Sequence, residues 1–236
     1  MVTRGPPARC DSPPNERQTA RVHNPVMSGT AEPPAPLDKQ TIRRQLRARR
    51  RSLAHQPDRG ADAEAIAAAA NALLDTLALP PEGPGGHPAY GSQPCVAIYR
   101  SMPTEPPTEA LAEMLHTGGV KVLVPEMLPD KDLDWHELRA DGSEGPGLGS
   151  DAIGDAQVIF TPALAVDHSG TRLGQGGGSY DRALARRHPH AVVVAIVNDE
   201  EYAVQPLPRD AHDVRVNAVI TPGSGLMQIP GTESAM

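Results

Sequence analysis

Between Thr171 and Arg187 the chain reads TRLGQGGGSYDRALARR, with Gly174, Gly176, Gly177 and Gly178 crowded in front of a helix-forming run. Glycine loses the most backbone entropy on folding and adds nothing to a core. Such a cluster makes sense where backbone N–H groups must approach an anion with no Cβ in the way. Arg172 before the loop and Arg182 after it suit phosphate. A helix N-terminus following the loop would add its dipole. The chemistry indicated is phosphate handling, and the plainer alternative is a flexible surface connection.

Three named patterns can be tested against the loop. The GxxxxGK[ST] phosphate loop needs a lysine that is absent here. The dinucleotide fingerprint GxGxxG would begin at Gly174 and Gly176, but its third glycine is Ser179; Asp199 beyond the next strand leaves that alternative open. A GxSxG nucleophile elbow centred on Ser179 would need glycine at Asp181, so Ser179 is a poor nucleophile candidate.

A second concentration of charge lies upstream. Residues 39–51 carry seven basic groups and no acid: Lys39, Arg43, Arg44, Arg47, Arg49, Arg50 and Arg51. Lys39 and Arg43 stand four residues apart near the start of a helix and share a face. Arg44, Arg47, Arg50 and Arg51 read as a solvated face. An RNA-binding helix competes with this reading, but no aromatic platform supports it. His168, His188 and His212 lack metal-ligand spacing, so zinc is not expected. Asp134, Trp135 and His136 read as an exposed or edge-strand cluster.

These residues must be positioned by regular elements. LDKQTIRRQLRARRRSL (37–53) has helical composition with Asp38 as a fair N-cap, and 62–78 is a second helix rich in Ala and Leu. CVAIYRS (95–101) reads as a strand, 108–119 as a helix closed by Gly118, and VKVLVPEM (120–127) as a strand. LDWHEL (133–138) alternates like an edge strand. Residues 155–167 read as one buried strand running into a loop, 179–188 as a helix, and 191–199 and 214–222 as the last strands. Strands alternating with helices, and continuous Val/Ile/Ala runs, predict a mostly parallel sheet covered on both faces. The expected fold is a single three-layer α/β/α domain over 37–222. The glycine loop then lies between a strand and a helix, where open α/β sheets bind ligands.

Bulk properties bound the rest. The chain has 236 residues, 39% of them hydrophobic and only 3% aromatic, so aliphatic side chains must fill the core. A formal net charge of -7 gives no general argument for nucleic acid. Cys10 and Cys95 form neither a CxxC pair nor a disulfide framework, which indicates a reducing, cytoplasmic setting. No apolar run approaches the roughly 18 residues of a membrane span, and no secretory signal is apparent. Residues 1–36 are Pro-rich without apolar period and are expected to be disordered. LPPEGPGGHPAYGSQP (79–94) reads as an inserted surface loop, and 223–236 as a loose tail.

The longer stretch PALAVDHSGTRLGQGGGSYDRAL (162–184) resembles the signature of the 5-formyltetrahydrofolate cyclo-ligase family, also called 5,10-methenyltetrahydrofolate synthetase. Asp167, Gly170, Arg172, Leu173, Gly174, Gly176, Gly178, Tyr180 and Asp181 match its pattern. DKQTIRRQLRARR resembles the family's first helix through Lys39 and Arg43. IYRSMPTEPPTEAL resembles its substrate-contacting loop through Glu105, and HDVRVNAVITP its closing segment through Asp213. The chain departs from the family at Gln175, Ser179, Asn217 and Pro107. The resemblance implies ATP-dependent conversion of 5-formyltetrahydrofolate to 5,10-methenyltetrahydrofolate by a monomer that binds no nucleic acid and no membrane. It implies that Lys39, Arg43, Arg172, Leu173, Gly174, Gln175, Gly176, Gly177, Gly178, Ser179 and Tyr180 bind ATP. Arg100 and Glu105, with Gln175 to Ser179, would contact the folate. Asp181 and Asp213 would hold Mg²⁺, which favours one or two carboxylates completed by phosphate and water. The alternatives are a non-catalytic relative that binds nucleotide or folate, and another phosphate-handling enzyme on the same scaffold.

Overall fold

The computed structural model describes residues 38–53, 59–77, 93–203 and 205–231. The expectations for 1–36, for most of the 79–94 insertion and for Cys10 lie outside the described residues. Among the described residues there are four α-helices: α1 (Lys39–Leu53), α2 (Arg59–Leu77), α3 (Glu109–Thr117) and α4 (Ser179–Ala185). Asp38 caps α1: its Oδ1 accepts the Gln40 and Thr41 N–H groups at 2.8 and 2.9 Å, and its Oδ2 accepts the Thr41 hydroxyl at 2.8 Å.

The parallel centre of the main sheet is built from β1 (Cys95–Ala97), β2 (Lys121–Met127), β5 (Val158–Pro162), β8 (Val192–Ile196) and β10 (Ala218–Thr221). Antiparallel strands flank it: β3 (Leu133–Leu138) and β4 (Glu144–Gly147) beyond β2, and β11 (Gly225–Gln228) beyond β10. The full order is β11-β10-β8-β5-β1-β2-β3-β4. Side chains alternate between two cores with a period of two, as a sheet buried on both faces requires. Val96, Phe160, Val194 and Ile196 join the core beneath α2 and α3. Ala97, Ile159, Val193 and Ala195 join the opposite core with Ala183 and Leu184 of α4. The α/β/α layering expected from sequence is present.

Four expectations are corrected. Residues 155–167 are not one strand: the chain leaves the main sheet after Pro162 and forms β6 (Ala165–Asp167). That strand pairs with β7 (Arg172–Leu173) and β9 (Tyr202–Ala203) in a small second sheet. The part of the tail at 223–231 is not loose, because β11 completes a hairpin with β10 and Ile229 is buried. Trp135 is not exposed. Its strand is covered by β4, and its ring is 0% exposed in the core with Leu133 and Ile153. Asp199, the residue that kept a dinucleotide site open, is taken up by the β10–β11 turn, where it accepts the Thr221 hydroxyl and the Gly223 and Ser224 N–H groups.

Within the parallel set, the chain steps from β1 outward to β2, then returns to the other side of β1 for β5, β8 and β10. The order reverses between β1 and β5, and a crevice opens at the strand ends at such a reversal.

Candidate active site

That crevice holds a cavity of about 460 Å³. Tyr99 and Arg100 reach it from the end of β1, Pro125 from β2, and Pro162 and Ala163 from the end of β5. The glycine loop closes it from the α4 side. A larger cavity, about 850 Å³, lies between α2 and α3. It collects none of the residues singled out for chemistry, so the smaller one is the candidate site.

Every expected site residue except Leu173 lines the crevice. Leu173 is 1% exposed and packs in the core, while its carbonyl accepts the Leu164 N–H at 2.8 Å. Its assignment to ATP is therefore corrected to a structural one. Gly176 and Gly178 have φ of +99° and +71°, in the left-handed region that glycine enters without Cβ strain. Helix α4 has only seven residues, so its dipole is a smaller contributor than expected.

The positive charge comes instead from α1. Lys39, Arg43, Arg47 and Arg50 recur at a spacing that puts them on one helical face. That face is turned onto the site. Lys39 Nζ donates to Asp210 Oδ2 and Asp213 Oδ2, both at 2.7 Å. Arg43 Nε donates to the Gly174 carbonyl at 2.9 Å. Arg47 donates through Nε to Gln175 Oε1 at 3.0 Å and through Nη2 to the Gln175 carbonyl at 2.5 Å. Arg50 is buried against Glu201. The solvated-face reading is thus corrected for Arg50, while Arg47 stays exposed and holds the loop from the solvent side. Each helical turn presents one cation, and all four hold a backbone carbonyl of the site or a carboxylate that lines it.

Arg172 is buried and donates through Nη2 to Asp181 Oδ1 at 2.5 Å. Asp167 accepts the Ser169, Thr171 and Leu207 N–H groups instead. Gly170 turns the β6–β7 connection with φ of +79°, and a Cβ there would meet the Val216 carbonyl at 2.6 Å, so this glycine of the signature serves the fold. Glu105 is 3% exposed, not the surface acid its sequence neighbourhood allows. Arg100 is half exposed and pairs with Glu144 at 2.7 Å. The Tyr180 hydroxyl is buried without a hydrogen-bond partner among the described residues, and burial followed by the Glu105 charge pushes its pKa up.

Asp181 and Asp213 both line the crevice, but the carboxylate brought to Asp213 is Asp210. One ligand atom each from Asp210, His212 and Asp213 lies within 4.8 Å of the others. Sequence sets His212 aside for lack of metal-ligand spacing, although the fold brings His212 to Asp210 and Asp213. It offers no signal for Asp210, which nothing separates from other loop polar residues. Tyr99, Met102 and Met127, which add apolar wall, were missed for the same reason.

Burial pushes the Asp213 carboxyl up, but hydrogen bonds from Lys39 and the Asp210 N–H outweigh this and hold it below the ordinary carboxylate range. Asp167 behaves likewise: burial raises it, and the Leu207, Ser169 and Thr171 donors bring it lower still. Lys39 is held above its ordinary value: burial lowers it, and Asp210 and Asp213 more than compensate. A carboxyl with a depressed folded pKa contributes stability that is complete above its unfolded value, about 3.9, and is lost as pH falls through the folded value. The melting temperature should therefore drop as pH falls below about 4. Asp213→Asn should flatten that drop, which pH-dependent thermal melts of both proteins will show. A wild-type acid limb retained unchanged in the variant would contradict the contribution of Asp213. The Lys39 contribution is lost only as pH rises through its raised value, above about 10.4.

Comparison with known proteins shows the family and the fold. A model of the 5-formyltetrahydrofolate cyclo-ligase family matches residues 36–222. A 5-formyltetrahydrofolate cyclo-ligase of Mycolicibacterium smegmatis is 36% identical over 57% of this chain and 76% of its own. One of Escherichia coli is 29% identical over 54% of this chain and 77% of its own. Solved structures share the fold, among them two synthetases. The 5,10-methenyltetrahydrofolate synthetase of Aquifex aeolicus has a TM-score of 0.58 at 21% identity, covering 84% of this chain and 96% of that one. That of Mycoplasma pneumoniae has a TM-score of 0.56 at 16% identity, covering 78% and 98%.

Proposed function

We infer the function from the premise that this chain belongs to the 5-formyltetrahydrofolate cyclo-ligase family. It is an ATP-dependent ligase that converts 5-formyltetrahydrofolate to 5,10-methenyltetrahydrofolate. No helix among the described residues is long and apolar enough to cross a membrane.

The formyl oxygen is a poor leaving group. It attacks the γ-phosphorus of ATP, the bond to the ADP oxygen breaks, and a phosphorylated imidate forms. N10 of the folate then attacks the formyl carbon, the carbon–oxygen bond breaks, and the oxygen departs in inorganic phosphate while N10 loses its proton to solvent. No side-chain nucleophile is needed. The protein's work is to position two substrates and offset phosphate charge.

Lys39, Arg43 and Arg172 supply the cations, and Gly174 to Gly178 with Ser179 and Tyr180 form the surface on which the triphosphate lies. Arg43 and Arg47 grip carbonyls of the loop and so leave its N–H groups to the nucleotide. Glu105 and Arg100 stand on the side of β1 and β2, with the apolar wall of Met102 and Met127, and take the folate. The oxygen-rich donor set suits a hard cation, so Asp181 and Asp213 are assigned to Mg²⁺, with Asp210 and His212 beside Asp213. Held by these residues, Mg²⁺ would supply charge neutralisation to the triphosphate. The observation that carries the assignment is the row of α1 cations facing the glycine loop across one crevice.

The test is the ATP-dependent appearance of methenyl absorbance from 5-formyltetrahydrofolate, with ADP and phosphate released in equal amounts. Absence of product from folded protein with both substrates and Mg²⁺ would overturn the reading, and product without ATP would refute the phosphorylation step.

A further inference from the structure

Of the α1 row, Lys39 and Arg43 line the crevice, Arg47 is exposed, and the fourth cation is Arg50. It is 2% exposed, and a buried guanidinium needs partners. Glu201 takes two of its donors, Nε to Oε1 at 2.5 Å and Nη2 to Oε2 at 2.7 Å. Nη2 also donates to the Ala163 carbonyl. Glu201 is itself held by the Asn198 N–H at 2.9 Å. The remaining nitrogen, Nη1, is buried, has no hydrogen-bond partner among the described residues, and lies 3.9 Å from Glu105 Oε1.

Glu105 is attached by its other oxygen, where Oε2 accepts the Met102 N–H at 3.1 Å. One edge of this carboxylate is therefore set by its own turn and the other by the free edge of Arg50. A carboxylate buried to this degree needs a compensating charge, and the ion pair to its side chain is Arg50, while Arg59 donates to the Glu105 backbone carbonyl. With Glu201 and Glu105 on either side, one guanidinium serves two carboxylates, and Glu105 keeps acceptor capacity toward the crevice.

We propose that Arg50 is a positioning residue: anchored on Glu201, it aims the Glu105 carboxylate at the N–H groups of the folate without touching substrate itself. This rests on the assignment of Glu105 to the folate. A purely structural Arg50–Glu201 pair would affect both substrates alike or only stability. Positioning through Glu105 predicts a split between them.

The experiment is calorimetric titration of the full-length protein with 5-formyltetrahydrofolate and, separately, with a non-hydrolysable ATP analogue, with folding checked by circular dichroism. Arg50→Met should weaken folate binding about tenfold or more and shift the nucleotide by less than about twofold, as expected when a charged hydrogen-bonding group is displaced. Glu105→Gln should weaken folate similarly, and the double variant should add less than about twofold, since both changes act on one contact. If Arg50→Met does not fold, Arg50→Lys carries the same test, because one ammonium cannot bridge Glu201 and Glu105 together. Folate affinity unchanged in the folded Arg50 variant, or both affinities falling together, overturns the inference. Folate affinity unchanged in Glu105→Gln removes the assignment of Glu105, and the positioning role with it.

Discussion

Asp213→Asn is expected to lower kcat by about 10²–10³-fold and to raise the Mg²⁺ concentration needed for half-maximal turnover. The scale is the several kcal/mol that a correctly held metal contributes to transition-state charge. The substitution keeps the side chain's shape and removes its charge. Asp213 is buried and receives Lys39 Nζ at 2.7 Å and the Asp210 N–H at 2.8 Å, so the loop around it is ordered by contacts that an amide partly preserves. A role limited to holding Lys39 predicts a different pattern. In that case Lys39→Met would reproduce the whole defect, and the Mg²⁺ requirement would not move in either variant. Turnover titrated against Mg²⁺ for both variants separates the two. Wild-type kcat with an unchanged Mg²⁺ curve in Asp213→Asn would refute the metal assignment.

Gly176→Ala is expected to weaken nucleotide binding by about 10–100-fold with little change in melting temperature. Its φ of +99° is a conformation that alanine enters only under strain, about 1–3 kcal/mol. A Cβ there would stand 3.4 Å from Arg43 Cζ, pressing on the guanidinium that grips the Gly174 carbonyl. The loop is exposed, so it can relieve the strain by moving, and the N–H groups presented to phosphate move with it. Arg43→Met loosens the same loop from the opposite side, so the double variant should be less than additive. Titration with the ATP analogue measures both. Unchanged affinity in the folded Gly176→Ala protein would return the loop to a plain connection between β7 and α4.

What could be read directly from the sequence was local. Asp38 caps α1 through contacts two and three residues away. The continuous apolar runs at 158–162 and 192–196 announce strands buried on both faces, because alternate side chains of a strand point to opposite sides and both sides are apolar here. The glycines of 170–178 announce left-handed backbone, and the structure has it at Gly170, Gly176 and Gly178. The nine-residue match to the family signature carried the reaction, since a site made of glycines, cations and carboxylates leaves a dense local trace.

The partners of those cations were decided only by the tertiary structure. Arg50 and Arg51 are adjacent arginines in one basic run. One is buried against Glu201, 151 positions away, and the other is exposed. Helical phase offers both outcomes until the surface packed against α1 is known. Lys39 meets Asp210 and Asp213 across more than 170 positions for the same reason. Trp135 is buried because β4 and the turn at Ser150–Asp155 cover its strand, which alternation within β3 alone does not determine. The crevice itself exists because the strand order reverses between β1 and β5. That reversal is a property of how the crossovers pack, and no single stretch of the chain contains it.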